Sequence, residues 1–147
     1  VLLAQYQYVS TLIGTGNCIA SDYKYQGLDG DCKQCNPVIK TINGYASVDQ
    51  TEEALKEAVG TVGPISVCVN ANWDWQLYSG GILDSQSCPG DILNHAVLAV
   101  GYGSENGKDF WLIKNSWDTY WGEAGYLRLV RGTNQCGINK VADYPLL

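Results

Sequence analysis

Histidine and phenylalanine occur once each in this chain of 147 residues, methionine does not occur, and charged side chains make up only 16%. The shortage of charge leaves 9 basic against 15 acidic residues, a net charge of -6. An acidic chain with scattered Lys and Arg lacks the clustered positive footprint that nucleic acid requires, so DNA and RNA are poor partners. Long apolar runs are also missing. Val1-Leu2-Leu3-Ala4 gives way to Gln5 and Gln7 well short of the ~20 residues that span a bilayer, and it has no basic flank, so it reads as neither membrane helix nor signal peptide. No Asn-x-Ser/Thr acceptor is present, which argues against N-glycosylation of this segment. Leu2, Tyr6, Val9 and Ile13 recur at helical spacing, yet no Ser, Thr, Asp or Asn precedes them as a cap. With no initiating methionine either, we expect Val1 to lie inside a helix whose beginning is upstream.

What is present is enough for an ordinary core, since 46% of residues are hydrophobic and 11% aromatic. Residues 14–45 read as loop, because Gly, Asn, Asp and Pro break every period, and they hold Cys18, Cys32 and Cys35. A polar, glycine-rich stretch with little core of its own is where disulfides help most. A helix is expected next, opened by Asp49 and Glu52 as a capping box, striped by Ala54, Leu55, Ala58 and Val59, and ended by Gly60. Short runs rich in Val, Ile and aromatics follow at 65–69, 96–100, 110–113 and 126–130, which predicts an antiparallel sheet or barrel. The fold class is therefore α+β, with residues 46–147 as one helix-plus-sheet domain and residues 1–45 as the tail of a neighbour.

Asn106-Gly107 is a strong hairpin signal between the second and third of those strands. A turn centred between residues 105 and 106 places His95 opposite Asn115 or Ser116, with a register error of about two residues. The single histidine thus meets an Asn-Ser-Trp cluster at strand ends. An asparagine oxygen accepts a ring N–H and fixes the tautomer without adding charge, leaving the second ring nitrogen to deprotonate a thiol. Trp117 is placed to cover that hydrogen bond. A histidine near a strand end also has a purely structural reading, and spacing alone does not choose between the two.

Asn94-His95-Ala96-Val97, Gly101-Tyr102-Gly103, Lys114-Asn115-Ser116-Trp117, Trp121-Gly122-Glu123, Gly125-Tyr126, Cys136-Gly137-Ile138 and Tyr144-Pro145 stand in the order of the papain-like cysteine peptidases. Upstream, Tyr23-Lys24-Tyr25 and Gly63-Pro64-Ile65-Ser66-Val67 resemble further family segments, the first with Lys for Pro. Cathepsin L-like members are the most similar. The resemblance implies an antiparallel β-barrel or sheet domain beside a remnant of the family's helical domain. It makes His95 the catalytic base and acid, Asn115 its orienting partner, and Trp117, with Trp121 packed nearby, the shield bordering the primed side. The pocket for the second residue upstream of the scissile bond (the S2 pocket) would be lined by Cys68, Leu93, Asn94 and Val141. With no acid at its base, it would favour bulky aliphatic or aromatic side chains over Arg.

The family's nucleophile is a cysteine in a Cys-Gly-Ser-Cys-Trp context, preceded by an oxyanion-hole glutamine, and this sequence contains neither. The resemblance therefore implies a chain inactive alone, whose partner is an N-terminal segment or companion chain carrying that cysteine. It also pairs Cys88 with Cys136 and gives Cys32 a mate upstream of Val1. Cys18 and Cys35 are left for an extra bridge, and Cys68 as a thiol lining the pocket. Cys32-x-x-Cys35 competes weakly as a zinc or redox motif, since no second pair or nearby His supports it, and no metal or other cofactor is expected. Where the family has Gly after Asn-Ser-Trp, this chain has Asp118, which either stabilises the imidazolium or simply points to solvent. Expected partners are a peptide or protein substrate and a propeptide or cystatin-type inhibitor, with no membrane association. The expected setting is a lysosome, digestive vacuole or extracellular fluid. The competing reading is a noncatalytic relative that keeps the fold for binding.

Overall fold

The computed structural model describes residues 16–31, 33, 35 and 42–147. The helix expected over residues 1–13 and the position of Cys32 lie outside the described residues. The chain divides into two compact units, one made of Ser47–Tyr144 and the other taking in residues 2–46 and 145–147. Among the described residues of the second unit, 20–22 form a turn whose Tyr23 N–H donates to the Ile19 carbonyl at 3.0 Å, and Cys18 and Cys35 are joined by a disulfide.

Strands are β1 (Gly44–Ser47), β2 (Ile65–Val69), β3 (Ile82–Leu83), β4 (His95–Glu105), β5 (Lys108–Lys114), β6 (Tyr126–Val130) and β7 (Ala142–Leu146). Helices are α1 (Glu52–Thr61) and the single turn α2 (Trp73–Gln76), with a 3-10 turn at Gln135–Gly137. The strands form one open sheet in the order β1-β7-β2-β4-β5-β6-β3, not a closed barrel. Pairing is antiparallel from β7 through β6, whereas the two-residue edge strand β3 runs parallel to β6. That parallel edge was not legible in the sequence, since a two-residue strand carries no period.

Ile65, Val67 and Val69 alternate onto one face of β2 and are fully buried, opposite Ala99, Val97 and His95 of β4. Trp111, Ile113, Leu127 and Leu129 continue that face, and α1 packs Leu55, Ala58 and Val59 into the same core. Removing a large side chain from such a core costs on the order of 2–5 kcal/mol, so this layer sets the strand positions that the site inherits.

Three local expectations are corrected. The cap of α1 is Thr51, whose hydroxyl accepts from the Ala54 N–H at 3.1 Å, and not Asp49. Glu52 does not turn back to complete a capping box: its carboxylate accepts from Trp111 Nε1, the Gly132 N–H and the Asn134 N–H at 2.8–2.9 Å. Those donors are contributed by the tertiary fold and outcompete a local cap. Gly60 lies inside the helix rather than ending it, and a Cβ there would stand 3.0 Å from the Tyr102 hydroxyl. It serves close packing, not termination.

The β4–β5 hairpin also turns one residue later than expected. Glu105 pairs with Lys108, and Asn106 and Gly107 take φ of 52° and 77°, the left-handed pair of a type I′ turn. A bulge between Ala99 and Gly101 then takes back one residue of register, leaving Leu98 opposite Lys114, and His95 reaches Asn115 diagonally beyond that last pair of the ladder.

Candidate active site

His95 opens β4, and Asn115 follows the last residue of β5, so both stand at the same end of adjacent strands. Their side chains meet with His95 Nε2 2.8 Å from Asn115 Oδ1. The same oxygen accepts the Ser116 N–H at 2.8 Å. Two donors converging on one atom fix which end of the amide faces the ring, and therefore assign the ring proton to Nε2. Nδ1 is left to serve as a base. The Asn115 backbone is held as well, its N–H donating to the Gly125 carbonyl at 3.0 Å.

Three indoles surround the pair. Trp117 stacks on the imidazole at 4.9 Å between centroids and 28° between planes. Trp121 meets Trp117 edge-on at 5.2 Å, and its Nε1 donates to the Trp75 carbonyl at 3.1 Å. Trp75 is fully buried and meets His95 edge-on at 6.4 Å. An aromatic wall of this kind keeps water from competing for the His95–Asn115 bond and holds the ring in one plane.

Sequence reasoning passed over Trp75 and Tyr78, whose ring packs against Trp121 at 5.5 Å. The available signal was Asn72, the cap of α2, which accepts from the Trp75 N–H at 3.3 Å and so marks where Trp75 turns inward. The disulfide between Cys88 and Cys136 adjoins this wall, because Trp75 Nε1 lies 3.2 Å from Cys136 Sγ.

Cys68, Asn94 and Val141 lie at the same end of β2, and the Leu93 side chain lies beside Gly137. Cys68 donates its N–H to the Val141 carbonyl, and Asn94 donates its own to Val69, both at 3.0 Å. Asn94 Oδ1 accepts the Ala71 N–H at 2.8 Å, which ties the segment before His95 to the one before α2. Cys68 is fully buried and lies outside both disulfides, and burial, with the Asp143 charge adding to it, raises its thiol above the usual range. That favours the neutral thiol and is the opposite of an activated nucleophile.

Asp118 adopts φ of 68°, a region that suits the family's Gly better, and its carboxylate accepts from the Thr119 N–H and hydroxyl. It is thus engaged on its own exposed turn. Among the described residues no cluster of His, Cys, Asp and Glu could hold a metal ion. Beside Asn115, the outer sheet face forms a shallow groove lined by Ser66, Ala96, Leu98, Lys114 and Ser116.

Comparison with known proteins gives this geometry its context. The family described as "Papain family cysteine protease" matches residues 3–146. A cathepsin L-like proteinase of Phaedon cochleariae is 48% identical over 131 residues, 86% of this chain and 40% of its own length. Digestive cysteine proteinase 2 of Homarus americanus is 48% identical over 129 residues, covering 85% of this chain and 40% of its own. Among solved structures, digestive procathepsin L 3 from the larval midgut of Tenebrio molitor superposes with a TM-score of 0.90 at 42% identity, over 95% of this chain and 47% of that one. Bromelain of Ananas comosus, solved with the inhibitor E64, gives 0.86 at 37% identity over 97% and 67%. The chain therefore spans about two fifths of the length of these curated relatives.

Proposed function

The chain belongs to the papain family of cysteine proteases, and from that premise we propose that it contributes the histidine side of a cathepsin L-like endopeptidase site, the nucleophilic cysteine coming from outside residues 1–147. The observation that carries this reading is the 2.8 Å contact from His95 Nε2 to Asn115 Oδ1 beneath the Trp117 ring. It leaves Nδ1 to take the proton of an incoming thiol. The thiolate would attack the peptide carbonyl, and the tetrahedral intermediate would collapse as His95 returns the proton to the leaving amine. The remaining thioester would be cleaved by a water that His95 deprotonates, releasing the acid and regenerating the thiol.

A nucleophile elsewhere is supported by the five cysteines among the described residues. Cys18, Cys35, Cys88 and Cys136 are in disulfides, and Cys68 is buried with a raised thiol pKa. The groove beside Asn115 is a suitable seat for the segment or chain that supplies it. Trp117 and Trp121 would border the primed side. Cys68, Leu93, Asn94 and Val141 would line the S2 pocket and favour Leu or Phe over Arg. A propeptide or cystatin-type inhibitor would occupy the same cleft. Two disulfides, an acidic composition and relatives named as digestive support a secreted, digestive or lysosomal setting.

The test is labelling of the native protein by a thiol-directed epoxide. We expect one labelled cysteine, outside residues 1–147, and loss of both labelling and peptide cleavage in His95→Ala. Residues 1–147 alone should neither cleave peptides nor take the label. Turnover by them, abolished by labelling of one of their own cysteines, would overturn the nucleophile assignment. An intact native protein with no labelling and no cleavage would instead support a noncatalytic binding relative.

A further inference from the structure

The loop from Trp117 to Tyr126 is wound through an unusual number of left-handed residues: Asp118, Gly122, Ala124 and Gly125 have φ of 68°, 58°, 54° and 89°. Two of these carry a Cβ, so the conformation is strained and its surroundings must hold it. The Trp121 carbonyl accepts the Gly125 N–H at 2.8 Å, and Glu123 and Tyr126 exchange two backbone bonds at 2.9 and 3.1 Å. The Gly125 carbonyl in turn receives the Asn115 N–H. The shape of this loop is thus transmitted to Asn115 at one end and, through Trp121, to Trp117.

One carboxylate ties the loop to the rest of the domain. Glu123 Oε1 accepts the Gly81 N–H at 2.9 Å and Arg128 Nη2 at 2.7 Å, and Oε2 accepts Arg128 Nε at 2.8 Å. A bidentate fork of this kind fixes direction as well as distance. Tyr78 closes the same cluster, donating to the Gly81 carbonyl at 2.6 Å and accepting the Arg128 N–H at 3.2 Å while its ring rests on Trp121. Hydrogen bonds from Arg128, foremost, hold the Glu123 carboxyl below its usual range, so the fork stays charged in mildly acidic solution. The remaining Arg128 donor, Nη1, goes to the exposed Glu105 at 2.9 Å on the far side.

We propose that Glu123 is a positioning residue for the His95–Asn115 pair, holding the 117–126 loop so that the Asn115 amide and the Trp117 ring stay aimed at the imidazole. This rests on the reading of His95 as the catalytic base, and the experiment separates the two. In the native protein, Glu123→Gln keeps the shape and an acceptor for Gly81 but loses the charged fork. We expect kcat on a peptide substrate to fall about tenfold with KM within about twofold, as for a misaligned reacting group. The His95 ring N–H, assigned by its loss in His95→Ala, should exchange with solvent about tenfold faster by NMR as its cover loosens. Glu105→Gln, which removes only the charge of Arg128's outer partner, should leave both readouts unchanged.

If Glu123→Gln lowers the melting temperature but leaves kcat and ring-proton exchange at their native values, Glu123 is structural only and the proposal is wrong. Should that variant not fold, Arg128→Lys, which keeps the charge but not the fork, is read by the same two measurements. A fall in kcat with faster exchange supports the proposal there too, and native values of both overturn it. If the native protein cleaves no peptide, the catalytic reading fails by itself, and ring-proton exchange still decides whether Glu123 positions the pair.

Discussion

At the scale of single residues, the site depends on which atom of each side chain is engaged. His95 presents Nε2 to Asn115, and Asn115 presents oxygen because the ring and the Ser116 N–H both need an acceptor there. Asp118 shows the converse. A carboxylate one residue from Trp117 invites an electrostatic role toward the imidazole, yet its Oδ1 is taken by the Thr119 N–H and hydroxyl on an exposed turn. A more consequential acid is Asp74, which accepts from the Ser85 and Ser87 hydroxyls and from Asn72, and thereby ties α2 to the 85–87 segment. Those hydrogen bonds, Ser85 first, lower its pKa. A carboxyl held low when folded adds stability that is complete above its unfolded pKa of about 3.9 and disappears as pH falls through the lower folded value. Asp74→Asn should therefore flatten the loss of stability below about pH 4, measured by urea unfolding across pH, and leave the shape of the curve above pH 5 unchanged. An unchanged acid limb would show that this cluster does not couple to folding.

At the scale of elements, α1 and the β4–β5 hairpin show how local signals are shifted by what packs against them. Thr51 caps α1 and Asp49 does not. Thr51→Ala should cost about 1 kcal/mol by denaturant titration, and Asp49→Ala a few tenths at most. The reverse order would return the cap to Asp49. In the hairpin, Asn106-Gly107 was legible because only such residues accept two successive left-handed conformations. The bulge near Gly101 was not, because nothing in an apolar run marks where a strand skips a pairing. The bulge recovers only part of the register that the turn displaces, and the reach of the two side chains across the strand ends completes the His95–Asn115 meeting.

At the scale of the whole molecule, one covalent link joins parts of the site that are distant in sequence. Cys88 and Cys136 are 48 residues apart, and their bridge abuts Trp75, which in turn borders His95. Closing a loop of that length removes unfolded-state entropy worth about 4 kcal/mol. The paired substitution Cys88→Ser with Cys136→Ser should lower unfolding stability by roughly that amount. It should also loosen the cover of Trp75, seen by NMR as faster solvent exchange of its indole N–H, which in the native protein faces Cys136 Sγ. Stability and exchange both unchanged would mean that packing holds the wall without the link.

The sequence by itself determined the α+β class, four strands, one helix, the principal hairpin and the His95–Asn115–Trp117 group. Each of these leaves a local mark, in a period of two or 3.6, a turn dipeptide, or a motif order that resembles the papain-like peptidases. Only the tertiary structure decided that the sheet is open, that β3 pairs parallel with β6, that Glu52 serves the 132–134 segment rather than a cap, and that Trp75, Tyr78 and Glu123 stand behind the site. Those contacts join residues tens of positions apart, and such pairs are selected by packing and by the demand that buried donors find acceptors. Neither condition exists until the chain has closed on itself.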